Sequence, residues 1–127
     1  MATVLIVEDD PVLLETLISA FEFLGFIAVG ALNGLQAYYT IMDGLKPDIA
    51  FVDGKMPKMD GHTFMGYIRD ELRLTFPIVA TSASRSGFAR ADRVMPKPFG
   101  MLEIINTLKD LGFSSENGDW VHEILTV

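Results

Sequence analysis

Cysteine is absent from the chain, which excludes disulfides and thiolate metal sites and fits a reducing compartment. Basic residues are scarce, ten Lys and Arg against seventeen Asp and Glu, for a formal net charge of −7. An acidic surface of that kind repels nucleic-acid phosphates and anionic lipid headgroups, so proteins and cations are the expected partners. No apolar stretch reaches the roughly 20 residues a spanning helix needs. The amino-terminal run MATVLIV lacks a basic segment and meets acid immediately afterwards, which is not the pattern of a signal peptide. The expectation is a cytoplasmic protein without direct nucleic-acid or membrane contact. There is also no repeat, no low-complexity segment and no linker. What is abundant is packing material: half of the 127 residues are hydrophobic, with nine Phe and seven Met, enough for one domain with a real core.

Short apolar runs alternate with helical periodicity along the chain. Residues 3–7 are β-branched and apolar throughout, the pattern of a strand covered on both faces. Pro11 suits a first helical turn, and Leu14, Leu17, Ile18, Phe21 and Leu24 recur at helical spacing until Gly25. The same reading predicts strands over 26–31, 49–52, 78–81 and 93–95, and helices over 35–42, 62–72 and 100–111. Residues 83–92 are small, polar and weakly periodic, so any helix there is short and poorly held. Pro96 and Pro98 suit an edge strand, where a missing N–H costs little. Strands alternating with helices make an α/β fold with a doubly wound parallel sheet.

In such a sheet, ligand groups collect beyond the carboxyl ends of the strands. Glu8, Asp9 and Asp10 follow the first strand, Asp53 the third, Ser82 the fourth, and Lys97 the fifth. Acidic residues at the start of a helix often serve only its dipole and cap. Asp53 is different, because no helix starts directly after it. Clustered carboxylates repel one another unless a cation joins them, and oxygen-only ligands favour a hard ion, Mg²⁺ first. Asp53 could then act as a nucleophile toward a phosphoryl group, with Ser82 and Lys97 as partners of its oxygens.

Four segments carry a resemblance: VLIVEDD at 4–10, PDIAFVDGKMPKMDG at 47–61, PIVATSA at 77–83 and KPF at 97–99. The chain resembles the receiver domain of two-component response regulators, of the stand-alone type, over about residues 3–111. The resemblance implies a five-stranded sheet in the order 2-1-3-4-5, flavodoxin-like, with a short or irregular fourth helix. It implies that Asp53 is the phosphoacceptor for a histidine kinase or phosphotransfer protein, and that Glu8, Asp9, Asp53 and the main-chain carbonyl of Lys55 hold Mg²⁺, with Mn²⁺ as a substitute. Ser82 and Lys97 contact the phosphoryl group, as does the main chain of Ala83. The Lys97–Pro98 bond is expected to be cis.

Two departures concern output. Val94 stands where such regulators often carry an aromatic residue, and the interval from Ser82 to Lys97 is short by about two helical turns. An unusual readout through residues 84–92 is therefore expected. Residues 1–113 form the receiver, and 114–127 a tail without an output domain, in which Asp119 could cap a short helix bearing Trp120, Val121, Ile124 and Leu125. That stripe packs on the domain or serves a partner or a homodimer. His62 and His122 are isolated, and Lys55, Lys58 and Arg69 read as solvated surface. The function expected is a phosphoacceptor signalling protein, not a conventional enzyme, acting by protein contact or phosphorelay. The alternative is a pseudo-receiver that binds without phosphotransfer. A haloacid-dehalogenase-type phosphatase comes last, since no Asp-x-Asp follows the first strand.

Overall fold

Capping side chains set where most helices begin. In the computed structural model, which describes residues 1–83 and 88–114, Asp10 accepts hydrogen bonds from the backbone of Val12 and Leu13 and starts α1, Pro11–Phe23. Asn33 does the same for Gln36 at the start of α2, Gly34–Met42, and Asp60 for Thr63 at the start of α3, Gly61–Gly66. At the start of α4, Met101–Asp110, the Glu103 carboxylate reaches back to the Gly100 N–H. Between them lie β1, Thr3–Val7; β2, Ile27–Ala31; β3, Ile49–Asp53; β4, Ile78–Ser82; and β5, Arg93–Pro96.

All five strands are parallel, in the order β2-β1-β3-β4-β5. Every residue of β3 and β4 is buried, as the unbroken apolar runs require for strands covered on both faces. In β1 the pleat sends Val4 and Ile6 to the layer under α1 and α4, and Leu5 and Val7 to the layer under α2 and α3. Phe21 fills the first layer against Phe26 and Phe51, and Phe64 with Ile68 fills the second. Chain reversals at the ends of α1, α2 and α4 use Gly25, Gly44 and Gly112 at positive φ. Among the described residues strand β5 pairs with β4 alone, so Pro96 sits in an edge strand as expected, with Pro98 just past its end.

Two local expectations are corrected. The helix over 62–72 is not uniform: α3 runs into a π-helical turn, Tyr67–Glu71, in which the Leu72 N–H reaches the Tyr67 carbonyl. Arg73 then takes a positive φ. Arg69 is not solvated surface. Its guanidinium donates to the carbonyls of Leu74 and Phe76 at 2.8 and 2.7 Å and to Asp92 at 2.9 Å, and Asp92 also receives the Ile78 N–H. One planar fork thus ties the exit of α3 to the starts of β4 and β5. Arg69→Ala leaves two carbonyls and a carboxylate without that donor, and urea unfolding should show a loss of about 2 kcal/mol. Among residues 88–92 there is a turn and no helix. The remainder of the expected fourth helix, at 84–87, and the tail helix with Trp120 lie outside the described residues.

Candidate functional site

The β1–β3–β4–β5 register brings the candidate residues to one edge. Val7 lies beside Val52, Asp53 beside Thr81 and Ser82 beside Pro96, so Glu8, Asp53, Ser82 and Lys97 are neighbours across strand ends. Main-chain hydrogen bonds hold those ends: Glu8 N–H to Ala31, Gly54 N–H to Thr81 and Lys97 N–H to the Ser82 carbonyl. The Lys97–Pro98 peptide is cis, as expected.

Glu8 and Asp53 are buried at 2% and 6% exposure, while Asp9 is open to solvent. One carboxylate oxygen from each of the three lies within 4.8 Å of the others. The Lys97 ammonium bridges the two buried ones, 2.8 Å from Glu8 Oε1 and 3.3 Å from Asp53 Oδ2. Asp53 Oδ1 also accepts the Lys55 N–H at 3.2 Å. Asp53, Lys55, Ser82, Ala83 and Lys97 line a cleft of about 370 Å³. Asp10 stands apart from its two acidic neighbours as the cap of α1, so the simpler reading of the acidic triplet holds for that residue.

Burial pushes the Glu8 carboxyl above its ordinary range. The Lys97 hydrogen bond and the Asp10 N–H pull it back only in part, and the charge of Asp53 adds to the rise. For Lys97, burial works against the charged form, but Glu8 and then Asp53 outweigh it and hold the ammonium above its usual value. One cation against three carboxylates leaves two negative charges uncompensated. An all-oxygen set with that deficit suits a hard divalent ion, and the residues present fit Mg²⁺.

The family model for the response regulator receiver domain matches residues 4–109. The chain belongs to that family. This receiver is 31% identical over 115 residues to the phosphate regulon transcriptional regulatory protein PhoB of Pseudomonas aeruginosa, an alignment covering 84% of this chain and 50% of PhoB. It is 32% identical over 121 residues to the sensor kinase CckA of Brucella abortus, covering 87% of this chain and 12% of CckA. The chain therefore spans half or less of these relatives. Among solved structures, the response regulator TrrA of Thermotoga maritima, in complex with Mg²⁺–BeF, superposes with a TM-score of 0.76 at 26% identity, over 87% of this receiver and 99% of TrrA.

Reading the sequence missed two features of the receiver's site. His62 is not isolated: its ring stacks on Phe88, centroids 4.6 Å apart and planes within 6°. Gly54 and Gly61 are points of close approach, Gly61 to backbone and Gly54 to a side chain. A Cβ at Gly61 would overlap the Asp53 carbonyl oxygen, and one at Gly54 would come within 2.6 Å of the Phe88 ring. The only advance signal for either glycine was its place in the loop after Asp53. Among the described residues no helix is long and apolar enough to cross a membrane.

Proposed function

We propose that this receiver is a phosphoacceptor signalling protein. Asp53 takes a phosphoryl group from the phosphohistidine of a histidine kinase or phosphotransfer protein. The observation that carries the reading is a buried carboxylate at a strand end, 3.3 Å from an ammonium and within ligand range of two more carboxylates. An Asp53 oxygen attacks phosphorus, the phosphorus–nitrogen bond breaks, and the leaving imidazole keeps the electron pair and gains a proton from solvent, leaving an acyl phosphate. Glu8, Asp9, Asp53 and the main-chain carbonyl of Lys55 would hold Mg²⁺. When bound, the ion neutralises charge on the transferring oxygens.

Lys97 then has a third negative partner, a phosphoryl oxygen, in the gap it now spans between Glu8 and Asp53. The Ser82 hydroxyl donates to a second oxygen, and the main chain of Ala83, which lines the same cleft, contacts the group. The Mg²⁺–BeF complex of TrrA supports this assignment by likeness of fold. Output follows by protein contact or onward phosphorelay in the cytoplasm, and the protein's chemistry is confined to its own phosphorylation and dephosphorylation.

Intact mass after incubation with Mg²⁺ and acetyl phosphate tests the reading. The expected result is an adduct of one phosphoryl group that requires Mg²⁺ and is lost in Asp53→Asn. Absence of the adduct with both acetyl phosphate and a cognate kinase would establish the pseudo-receiver instead.

A further inference from the structure

Phe88 joins the acceptor site to the outer surface of α3 without lining the cleft. The tip of its ring rests on Gly54, the residue after Asp53: a Cβ there would lie 2.6 and 2.7 Å from two ring carbons and 3.5 Å from Ser82 Oγ. The ring is stacked on His62, in the first turn of α3. Met65, Ala89 and Arg90 close around the pair and leave a space of only about 40 Å³. The chain that follows is anchored to the same helix region, Arg90 to Asp70 at 2.6 Å and Asp92 to Arg69 at 2.9 Å. Phe88 is thus fixed on one side to α3 and on the other touches the peptide that carries the acceptor.

We propose that Phe88 is a positioning residue that couples occupancy of the Asp53 site to α3. With Asp53 unloaded, the ring is seated on Gly54 and stacked on His62; loading releases the stack. The proposal rests on the phosphoacceptor reading above. A phosphoryl group brings bulk and negative charge beside Gly54, on which the tip of the ring rests, and beside Ser82, whose Oγ lies 3.5 Å from a Cβ built at Gly54. At van der Waals contact the seat has no slack, and close-packed groups answer a small displacement by changing place instead of stretching. Coupling of this kind is reciprocal. The stack stabilises the unloaded form alone, so removing either ring favours the loaded one. His62 is not among the residues that line the cleft, and its ring is stacked on Phe88, so on this proposal the effect of its removal on the cleft passes through that stack.

The test follows the imidazole signal of His62 in the full chain. There are two histidines, and His122→Gln leaves one to observe. The stacked Phe88 ring current moves the His62 ring protons upfield. Adding Mg²⁺ and beryllofluoride should bring them to the position found in Phe88→Ala. Phe88→Ala and His62→Ala should each bind the beryllofluoride about fivefold more tightly or better. A phosphoryl adduct in the mass spectrum beside an unmoved His62 signal, or unchanged affinity in both variants, overturns the coupling while leaving the acceptor in place. No adduct at all overturns the acceptor reading and the coupling with it.

Discussion

Lys97→Met should destabilise the metal-free protein at neutral pH by about 2–3 kcal/mol. Removing one partner of a fully buried ion pair costs about 3–5 kcal/mol, and Lys97 keeps 26% of its exposure, so the lower figure applies. The cost arises at Glu8, whose side chain is 3% exposed and would be left as a buried carboxylate beside Asp53. The pH dependence follows from the direction of the Glu8 shift. Its folded value lies above the ordinary 4.5, so the group favours the folded state fully below 4.5, and this contribution is lost as pH rises through the folded value. Without the ammonium the rise grows, because one of the two influences pulling Glu8 down is gone. The stability gap between wild type and Lys97→Met should therefore be widest at neutral pH and shrink as pH falls toward 4.5, where a proton takes the place of the ammonium. Mg²⁺ should narrow the gap at neutral pH, since it supplies positive charge to the same carboxylates. Urea unfolding at a series of pH values in chelator, then in Mg²⁺, measures all three. A gap independent of pH would show that the loss comes from the packing of the lysine stem and not from Glu8.

The strands were legible because their edges are marked chemically. β1 ends at the first acid, β3 opens after Pro47-Asp48, and β5 closes at Pro96, with Pro98 just beyond; each bound agrees with the sequence reading to within a residue or two. The site was legible for the same reason. Parallel strands that end in polar residues must bring those residues to one side of the sheet, so Glu8, Asp53, Ser82 and Lys97 follow from strand ends alone. The pairing of Lys97 with Glu8 at 2.8 Å, closer than with Asp53, depended on side-chain reach that strand ends do not specify.

The features that stayed hidden are those made by partners with no local pattern. Arg69 occupies an ordinary helical position, and its buried role comes from two carbonyls and a carboxylate contributed by segments that follow α3. The π-turn at Tyr67–Glu71 has the composition of α-helix; tertiary demand at the Arg69 tie, and not propensity, accompanies it. His62 and Phe88 meet because residues 88–92, just before β5, are tied to α3 and the turn after it.

Gly61→Ala should slow phosphoryl-adduct formation by about 100-fold, the scale on which an ångström of misplacement acts. The reason is space and not backbone freedom. The Gly61 Cα faces the Asp53–Gly54 peptide closely enough that a methyl group overlaps the Asp53 carbonyl oxygen and approaches Gly54 Cα at 3.0 Å. Both are main-chain atoms in a buried strand end held by the Gly54 N–H to Thr81 bond and by the Gly61 N–H to Gly54 bond, so neither neighbour can turn aside. The loop also cannot retreat at its other end. There the Gly34 N–H donates to the Met59 carbonyl at 2.9 Å, and a Cβ at Gly34 would meet that same oxygen. The strain therefore falls on the Asp53–Lys55 peptides, which aim the acceptor carboxylate and carry the N–H that binds its Oδ1. Overpacking of this kind costs about 1–3 kcal/mol of stability. Gly66→Ala is the matched control. Gly66 has helical φ and ψ with nothing within 4 Å of a Cβ, so alanine there should add about 0.5–1 kcal/mol and leave the adduct rate unchanged. Time-resolved intact mass with acetyl phosphate, beside urea unfolding of both variants, separates the outcomes. A Gly61→Ala protein that unfolds earlier yet phosphorylates at the wild-type rate would mean that the loop absorbs the methyl group without moving Asp53.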